Sequence, residues 1–354
     1  MSRFFSDKYI DLEAYVPGEQ PVDQPYIKLN TNENPYPPPR EVTDAVAEES
    51  RNLRLYPDPE YNRLRKCLAE RLEVSEEEVM MTNGSDEILL FSFMAFCDEH
   101  IPAVFPDVTY GFYPIFARVA QVPYETIPLQ DDFSLNTEDY LHAAGTIFLA
   151  NPNAPTAIAI QPEEIERILA ANPYNVVVVD EAYVDFGSKS CVPLIRKYDN
   201  LLVTQTFSKS RSMAGARLGM GIGQPDLIRD LNTVRNSVNP YNVNRLTVAA
   251  ALATLKNDEY NRRNCDEIME TRKRTARMLR ELGFEMTTTR TNFLFARHPA
   301  IPGEELYLEL KKRGILVRHF SEERIRDYNR ISIGTPEEMD RLIETVKAIL
   351  EERA

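Results

Sequence analysis

Cysteine and histidine are scarce in this 354-residue chain, four of each, and neither type clusters. Cys67, Cys97, Cys191 and Cys265 are scattered, without the spacing of metal ligands or of a disulfide framework, so they read as reduced thiols of a cytosolic (cytoplasmic) protein. The histidines are equally dispersed and suggest no metal site. Positive charge is also short: 41 Lys and Arg stand against 55 Asp and Glu, a net −14 that argues against nucleic acid or an anionic membrane as partner. Long apolar runs are missing. The longest, Ile88 to Cys97, is interrupted by Ser92, is too short to span a bilayer and reads as a buried helix. The segment from Met1 to Asp7 lacks the sustained apolar core of a signal peptide. No internal repeat or low-complexity segment is visible.

What is present is length for two cores, so a large domain and a smaller one are expected. Residues 1–39 are proline-rich, end in Pro35-Tyr36-Pro37-Pro38-Pro39, and read as an extended arm that cannot be helical. Helical and strand patterns then alternate. Glu41 to Leu53 and Asn62 to Leu72 read as helices, Val79 to Thr82 as a strand, and Gly84 to Cys97 as a loop and helix. Ala103 to Phe105, Thr146 to Ala150, Val176 to Val179 and Leu201 to Thr204 read as short apolar strands. The alternation implies a mostly parallel sheet between helices, an α/β class. Near Asn244 the texture changes. Arg245 to Leu282 reads as long and helical, followed by strands near Asn292 to Ala296, Ile315 to Val317 and Arg330 to Ile333 and a helix from Glu337. The expected division is a large domain over 40–245 and a small α+β domain over 246–354.

Two segments carry chemistry. In Thr206-Phe207-Ser208-Lys209-Ser210-Arg211, a lysine sits among hydroxyls just after an apolar strand, and Arg217 follows in Ala216-Arg217-Leu218-Gly219. A lysine placed there can condense with a carbonyl cofactor, and the hydroxyls and the arginine suit a phosphate beside it. Upstream, Val176 to Val179 runs into Asp180-Glu181-Ala182-Tyr183. Four valines read as a strand buried on both faces, and ligands of open α/β sheets bind beyond the carboxyl ends of such strands. Asp180 there can pair with a protonated pyridine nitrogen. Gly84-Ser85-Asp86 follows a strand and opens a helix, which suits a phosphate and equally a plain helix cap.

Asp180-Glu181-Ala182-Tyr183, Ser208-Lys209 and Ala216-Arg217-Leu218-Gly219, taken in order, resemble the fold-type I aminotransferases that use pyridoxal 5'-phosphate. Within them the nearest likeness is to the histidinol-phosphate aminotransferases. It extends through Leu29-Asn30-Thr31-Asn32-Glu33-Asn34-Pro35, Tyr56-Pro57-Asp58, Thr82-Asn83-Gly84-Ser85-Asp86-Glu87 and Arg330-Ile331-Ser332-Ile333-Gly334-Thr335. The resemblance implies a seven-stranded large domain, an arm that joins the small domain, and a homodimer whose two active sites are shared. It implies Lys209 as the covalent anchor and base, Asp180 on the ring nitrogen, Tyr183 on the ring oxygen and Tyr110 stacked on the ring. Thr206, Ser208 and Arg217, with Gly84, Ser85 and Asp86, would hold the phosphate, joined by Tyr56 of the partner subunit. Tyr15, Asn32, Arg318 and Arg330 would bind substrate, the arginines forking an anion.

The chain also departs from that pattern. Asn151-Pro152-Asn153-Ala154-Pro155-Thr156-Ala157 stands where many relatives carry asparagine in place of Ala154 and glycine in place of Ala157. Either Asn153 serves the ring oxygen instead, or Tyr183 holds it alone. The resemblance implies amino transfer from L-histidinol phosphate to 2-oxoglutarate in histidine biosynthesis. An aromatic or broad amino-acid aminotransferase, and a lyase of the threonine-phosphate decarboxylase type, are the competing readings. The need for a 2-oxo acid separates the lyase from both.

Overall fold

The computed structural model describes residues 2–353. The arm is extended apart from one tight turn at Asp7–Tyr9, and it ends in a two-residue strand, β1 (Ile27–Lys28). Helices α1 (Arg40–Glu49) and α2 (Asn62–Leu72) follow. The first is shorter than expected, giving way to a 3-10 turn at Ser50–Asn52. The next units alternate: β2 (Val79–Thr82), α3 (Ser85–Phe96), β3 (Ala103–Pro106), α4 (Tyr113–Ala120), β4 (Tyr124–Ile127), β5 (Thr146–Ala150) and α5 (Pro162–Ala171). Then come β6 (Val177–Asp180), β7 (Leu201–Thr206), β8 (Gly219–Gly223) and α6 (Pro225–Val238).

Strands β2 to β8 form one seven-stranded sheet in the order β2-β8-β7-β6-β5-β3-β4. It is parallel except at β8, which runs antiparallel to both β2 and β7. The valine run behaves as its composition demands. Val177 and Val179 enter the apolar layer on one face of the sheet, Val178 the layer on the other, and all three are fully buried. Burial of each contributes about 1.5–3 kcal/mol relative to exposure.

Helices α7 (Arg245–Lys256) and α8 (Asp258–Glu281) replace the single long helix expected, with Asn257 between them at φ −107 and ψ 37. Ala250, Ala251 and Leu255 of α7 pack into the large domain's core beside Val42 of α1 and Leu64 and Leu68 of α2. The boundary placed at residue 245 therefore cuts through the first core, and the change of core falls at Asn257. Beyond it lie β9 (Glu285–Met286), β10 (Phe293–Arg297), α9 (Gly303–Lys312), β11 (Ile315–Leu316), β12 (Arg318–His319), β13 (Asn329–Ser332) and α10 (Pro336–Glu351). Strands β12-β13-β10-β9 make an antiparallel sheet, and β1 of the arm pairs in parallel with β11. Helix α10 opens on a capping box. The Thr335 hydroxyl accepts the Glu338 N–H at 3.3 Å, and the Glu338 carboxylate accepts the Thr335 N–H at 2.8 Å.

Candidate active site

The carboxyl ends of β6 and β7 lie side by side, so Asp180 and Thr206 meet at one edge of the sheet. The loops beyond form a cleft that Asp180, Tyr183, Tyr110, Lys209, Ser208 and Arg217 help to line. Parallel strands place loops from distant parts of the chain at the same edge, which is why residues far apart in sequence meet here.

One end of the cleft is built for an anion. Helix α3 starts at Ser85, and its unpaired first-turn N–H groups and dipole favour negative charge there. Gly84 makes the cradle: it holds φ +84, and a Cβ on it would lie 2.5 Å from Nη2 of Arg217. Gly219, at the start of β8, meets the same turn from behind, since a Cβ there would lie 2.4 Å from the Ser85 nitrogen. The Thr206 hydroxyl donates to Ser208 Oγ at 2.9 Å and accepts the Ser208 N–H at 3.1 Å, which sets both hydroxyls at the cleft. Arg217 donates to Asp86 Oδ2 at 3.0 Å, and Asp86 Oδ1 accepts the Tyr110 hydroxyl at 2.7 Å.

The other end suits a basic aromatic ring. Asp180 is 5 % exposed, accepts from Thr204 Oγ1 and from the Ala182 N–H at 3.2 Å each, and among the described residues has no cation bonded to it. Burial lifts its carboxyl from 3.8 to about 7, and the Asp86 carboxylate adds to the rise. A protonated ring nitrogen is the partner such an acid needs. Lys209 donates weakly to the Thr31 carbonyl at 3.3 Å, and burial followed by the Arg330 charge presses its amine from 10.5 to about 8. The amine is thus far more often unprotonated at neutral pH than an ordinary lysine. Tyr183 lies 9 % exposed with its ring 5.9 Å from Lys209 Nζ. Burial and the Asp86 carboxylate raise the Tyr110 phenol well above 10, so it stays protonated.

Two expectations need correction. Asn153 does not line the cleft. Its amide donates to the Val108 carbonyl at 2.9 Å and to Thr156 Oγ1 at 2.8 Å, and its Oδ1 accepts from Thr109 at 2.8 Å, so every bond is spent on the loop. Ala154 lines the cleft instead and offers no polar group. Asn32 is not presented to a substrate either, because its side chain is held between Tyr183 at 2.8 Å and Ser332 at 3.0 Å. Ala157 keeps φ +67, the left-handed backbone that the usual glycine would take at less strain.

The substrate side brings two arginines together. Arg318 and Arg330 are directly opposite on β12 and β13, so both side chains leave the same face of the sheet. Arg330 donates to the Asn30 carbonyl at 3.1 Å, lies over Phe293 and Phe320, and its Nε has no partner. Arg318 donates to the carbonyls of Val16 and Pro17 at 3.2 and 3.3 Å, which ties it to the arm. Tyr15 of that arm stacks on Phe112, ring centres 4.0 Å apart. Tyr56 is outside this chain's cleft: it is 77 % exposed and stacks on Tyr241 at 4.6 Å. Gly219 and Ser332 stood inside quoted motifs and Phe112 beside Tyr110, but none was given a role of its own in the sequence reading.

These residues fit pyridoxal 5'-phosphate: a glycine cradle with a helix N-terminus and Arg217, a buried acid short of a cation, and a lysine with a depressed amine. Comparison with known proteins decides the family. The model of aminotransferase class I and II matches residues 24–346. The chain belongs to this family. As an aminotransferase it is 45 % identical over 348 residues to the histidinol-phosphate aminotransferase of Clostridium acetobutylicum, covering 98 % of this chain and 99 % of the relative. It is 46 % identical over 350 residues to histidinol-phosphate aminotransferase 1 of Bradyrhizobium diazoefficiens, covering 99 % and 100 % of the two. Among solved structures, a putative histidinol-phosphate aminotransferase from Erwinia carotovora superposes with a TM-score of 0.87 at 26 % identity, over 93 % of this chain and 97 % of that one.

Proposed function

We propose that this aminotransferase moves the amino group of L-histidinol phosphate to 2-oxoglutarate with pyridoxal 5'-phosphate as cofactor, yielding imidazole acetol phosphate and L-glutamate. The facing pair Arg318 and Arg330 carries the reading. Like charges directly opposite on adjacent strands repel, and a dianion between them turns that cost into two charge-assisted forks. The full-length likeness to histidinol-phosphate aminotransferases supports it.

Bound pyridoxal 5'-phosphate supplies a carbonyl that takes up the amine and a ring that accepts the electron pair released at the substrate carbon. Lys209 would be the residue that holds the cofactor covalently. Its Nζ, when free, would be the base placed to take the proton from the amine-bearing carbon of the substrate and to give it back, so that no proton is lost. Asp180 keeps the ring nitrogen protonated, and that pairing draws the carboxyl back toward its ionised form. Gly84, Ser85, Asp86, Thr206, Ser208 and Arg217 fix the phosphate end, and Tyr110 covers the ring. Tyr15, pinned on Phe112, closes the arm over the substrate and excludes water. Tyr56, exposed on its own chain, supplies a phosphate contact to the partner subunit's site in a homodimer. Four free cysteines suit the reducing cytoplasm, and among the described residues no helix is long and apolar enough to cross a membrane.

The arginine pair favours this donor over an unphosphorylated aromatic amine. A threonine-phosphate type lyase would employ the same arginines, but would turn over without a 2-oxo acid. The test is Arg330→Leu assayed on L-histidinol phosphate and on unphosphorylated L-histidinol. Loss of a charged fork, about 1.5–3 kcal/mol, lowers kcat/KM for the phosphate ester roughly 10- to 100-fold more than for the alcohol, any change at Lys209 being common to both. Equal losses on both substrates contradict the assignment.

A further inference from the structure

With Ala154 at the cleft wall and Asn153 turned away, Tyr183 is left to serve the cofactor's ring oxygen. Whether a tyrosine hydroxyl donates or accepts depends on what stands behind it. Here that neighbour is Asn32, 1 % exposed, and its amide orientation is fixed by a closed set of hydrogen bonds. The Asn32 N–H donates to Ser332 Oγ at 2.9 Å. The Ser332 hydroxyl donates to Asn32 Oδ1 at 3.0 Å. Oδ1 is therefore the end facing Ser332, and Nδ2 is the end facing Tyr183, to whose hydroxyl it donates at 2.8 Å. Asn292, fully buried, donates to the Asn32 carbonyl at 2.9 Å and holds the backbone. That backbone sits at φ +55, a conformation asparagine tolerates better than most residues. The Tyr183 oxygen is an acceptor from Asn32, so its own proton is free for the cleft that it lines.

We propose that Asn32 is a positioning residue which, oriented by Ser332, fixes Tyr183 as a hydrogen-bond donor to the cofactor's ring oxygen and so takes over the task that Ala154 cannot perform. The proposal rests on the pyridoxal-phosphate reading above. A donor on the ring oxygen stabilises its negative charge most when the adjacent lysine-linked nitrogen is unprotonated, so it holds that nitrogen's titration low. The other charges facing Tyr183, namely Arg330, Asp180, Asp86 and Lys209, are untouched by a change at Asn32.

The experiment is an absorbance titration against pH of the holoenzyme's visible band. Asn32→Asp is nearly isosteric and tolerates the same backbone, but its carboxylate accepts where the amide donated, and Tyr183 turns its proton toward it. The midpoint should rise by about one pH unit, the scale of one charge-assisted hydrogen bond. Tyr183→Phe should rise as much, and the double variant no further. Ser332→Ala, which leaves the amide free to turn, should show part of the rise and guards against a folding defect at Asn32. An unchanged midpoint in Asn32→Asp and Ser332→Ala with cofactor bound, or fully additive effects in the double variant, overturns the proposal. If the wild-type protein forms no visible band with pyridoxal 5'-phosphate, the cofactor reading itself falls and takes the proposal with it.

Discussion

Removing the charge at Asp180 should change how the cofactor-free protein responds to pH. Burial lifts this carboxyl from 3.8 to about 7. Between those values the folded chain keeps a proton that the unfolded chain has lost, so stability falls as pH rises from about 4 to about 7. A rise of about three pH units at 1.36 kcal/mol per unit sets that loss at about 4 kcal/mol. Glu181, also lifted to about 7 by burial, adds to the slope in the same window. Lys209, pressed to about 8, acts separately: between about 8 and 10.5 the folded chain sheds a proton the unfolded one retains, so stability rises with pH there. Asp180→Asn removes only the first contribution. The assay is urea denaturation of the cofactor-free protein at pH 5 and pH 8, followed by circular dichroism because the chain has no tryptophan. Only the part of that loss between pH 5 and about 7 falls in this interval, so at 1.36 kcal/mol per unit the wild type should lose about 2.5–3 kcal/mol more than Asp180→Asn. Pyridoxal 5'-phosphate should restore the wild type at pH 8 and help the variant far less. Equal pH slopes in the two proteins would refute the placement of a buried, unpaired acid at the end of β6.

Gly84→Ala should weaken cofactor binding about tenfold or more, measured by equilibrium titration of the cofactor-free protein. The backbone at φ +84 costs a non-glycine residue about 1–3 kcal/mol, and the new Cβ pushes the Arg217 guanidinium off the phosphate position. Unchanged affinity would remove the cradle from the site. If the proposed homodimer shares its sites, Lys209→Arg and Tyr56→Ala should each be poorly active when purified alone, yet regain activity when mixed and allowed to exchange subunits. One site of the mixed dimer then holds an intact Lys209 and an intact Tyr56, and absence of regained activity argues that sites are not shared.

Much of the site was legible because strand ends are. Val176 to Val179 announces one buried strand and Leu201 to Thr204 another, so the segments that follow them, with Asp180 and Lys209, are expected at the ligand edge. The edge strand β4 was not legible, since Tyr124, Glu125 and Thr126 are exposed and carry no apolar run. Nor was β8, where Gly219, Gly221 and Gly223 suppress strand propensity for the sake of close packing against α3 and β7. The break at Asn257 was hidden because charged helical residues continue on both sides of it. Asn153 misled for a related reason: its polarity suited the ring oxygen, but a tight loop had its own unpaired groups to satisfy. The role of Asn32 needs Ser332 and Asn292, brought to it from the far end of the chain, and no local pattern encodes that.

The most direct test of the account is a half-reaction followed by absorbance: holoenzyme mixed with L-histidinol phosphate and no 2-oxo acid. The account predicts that the visible band of the lysine-bound cofactor is replaced by that of its amine form, and that 2-oxoglutarate restores it. A band that L-histidinol phosphate leaves unmoved, while phenylalanine or tyrosine converts it, would contradict the substrate assignment, and a band that no amine moves would contradict amino transfer itself.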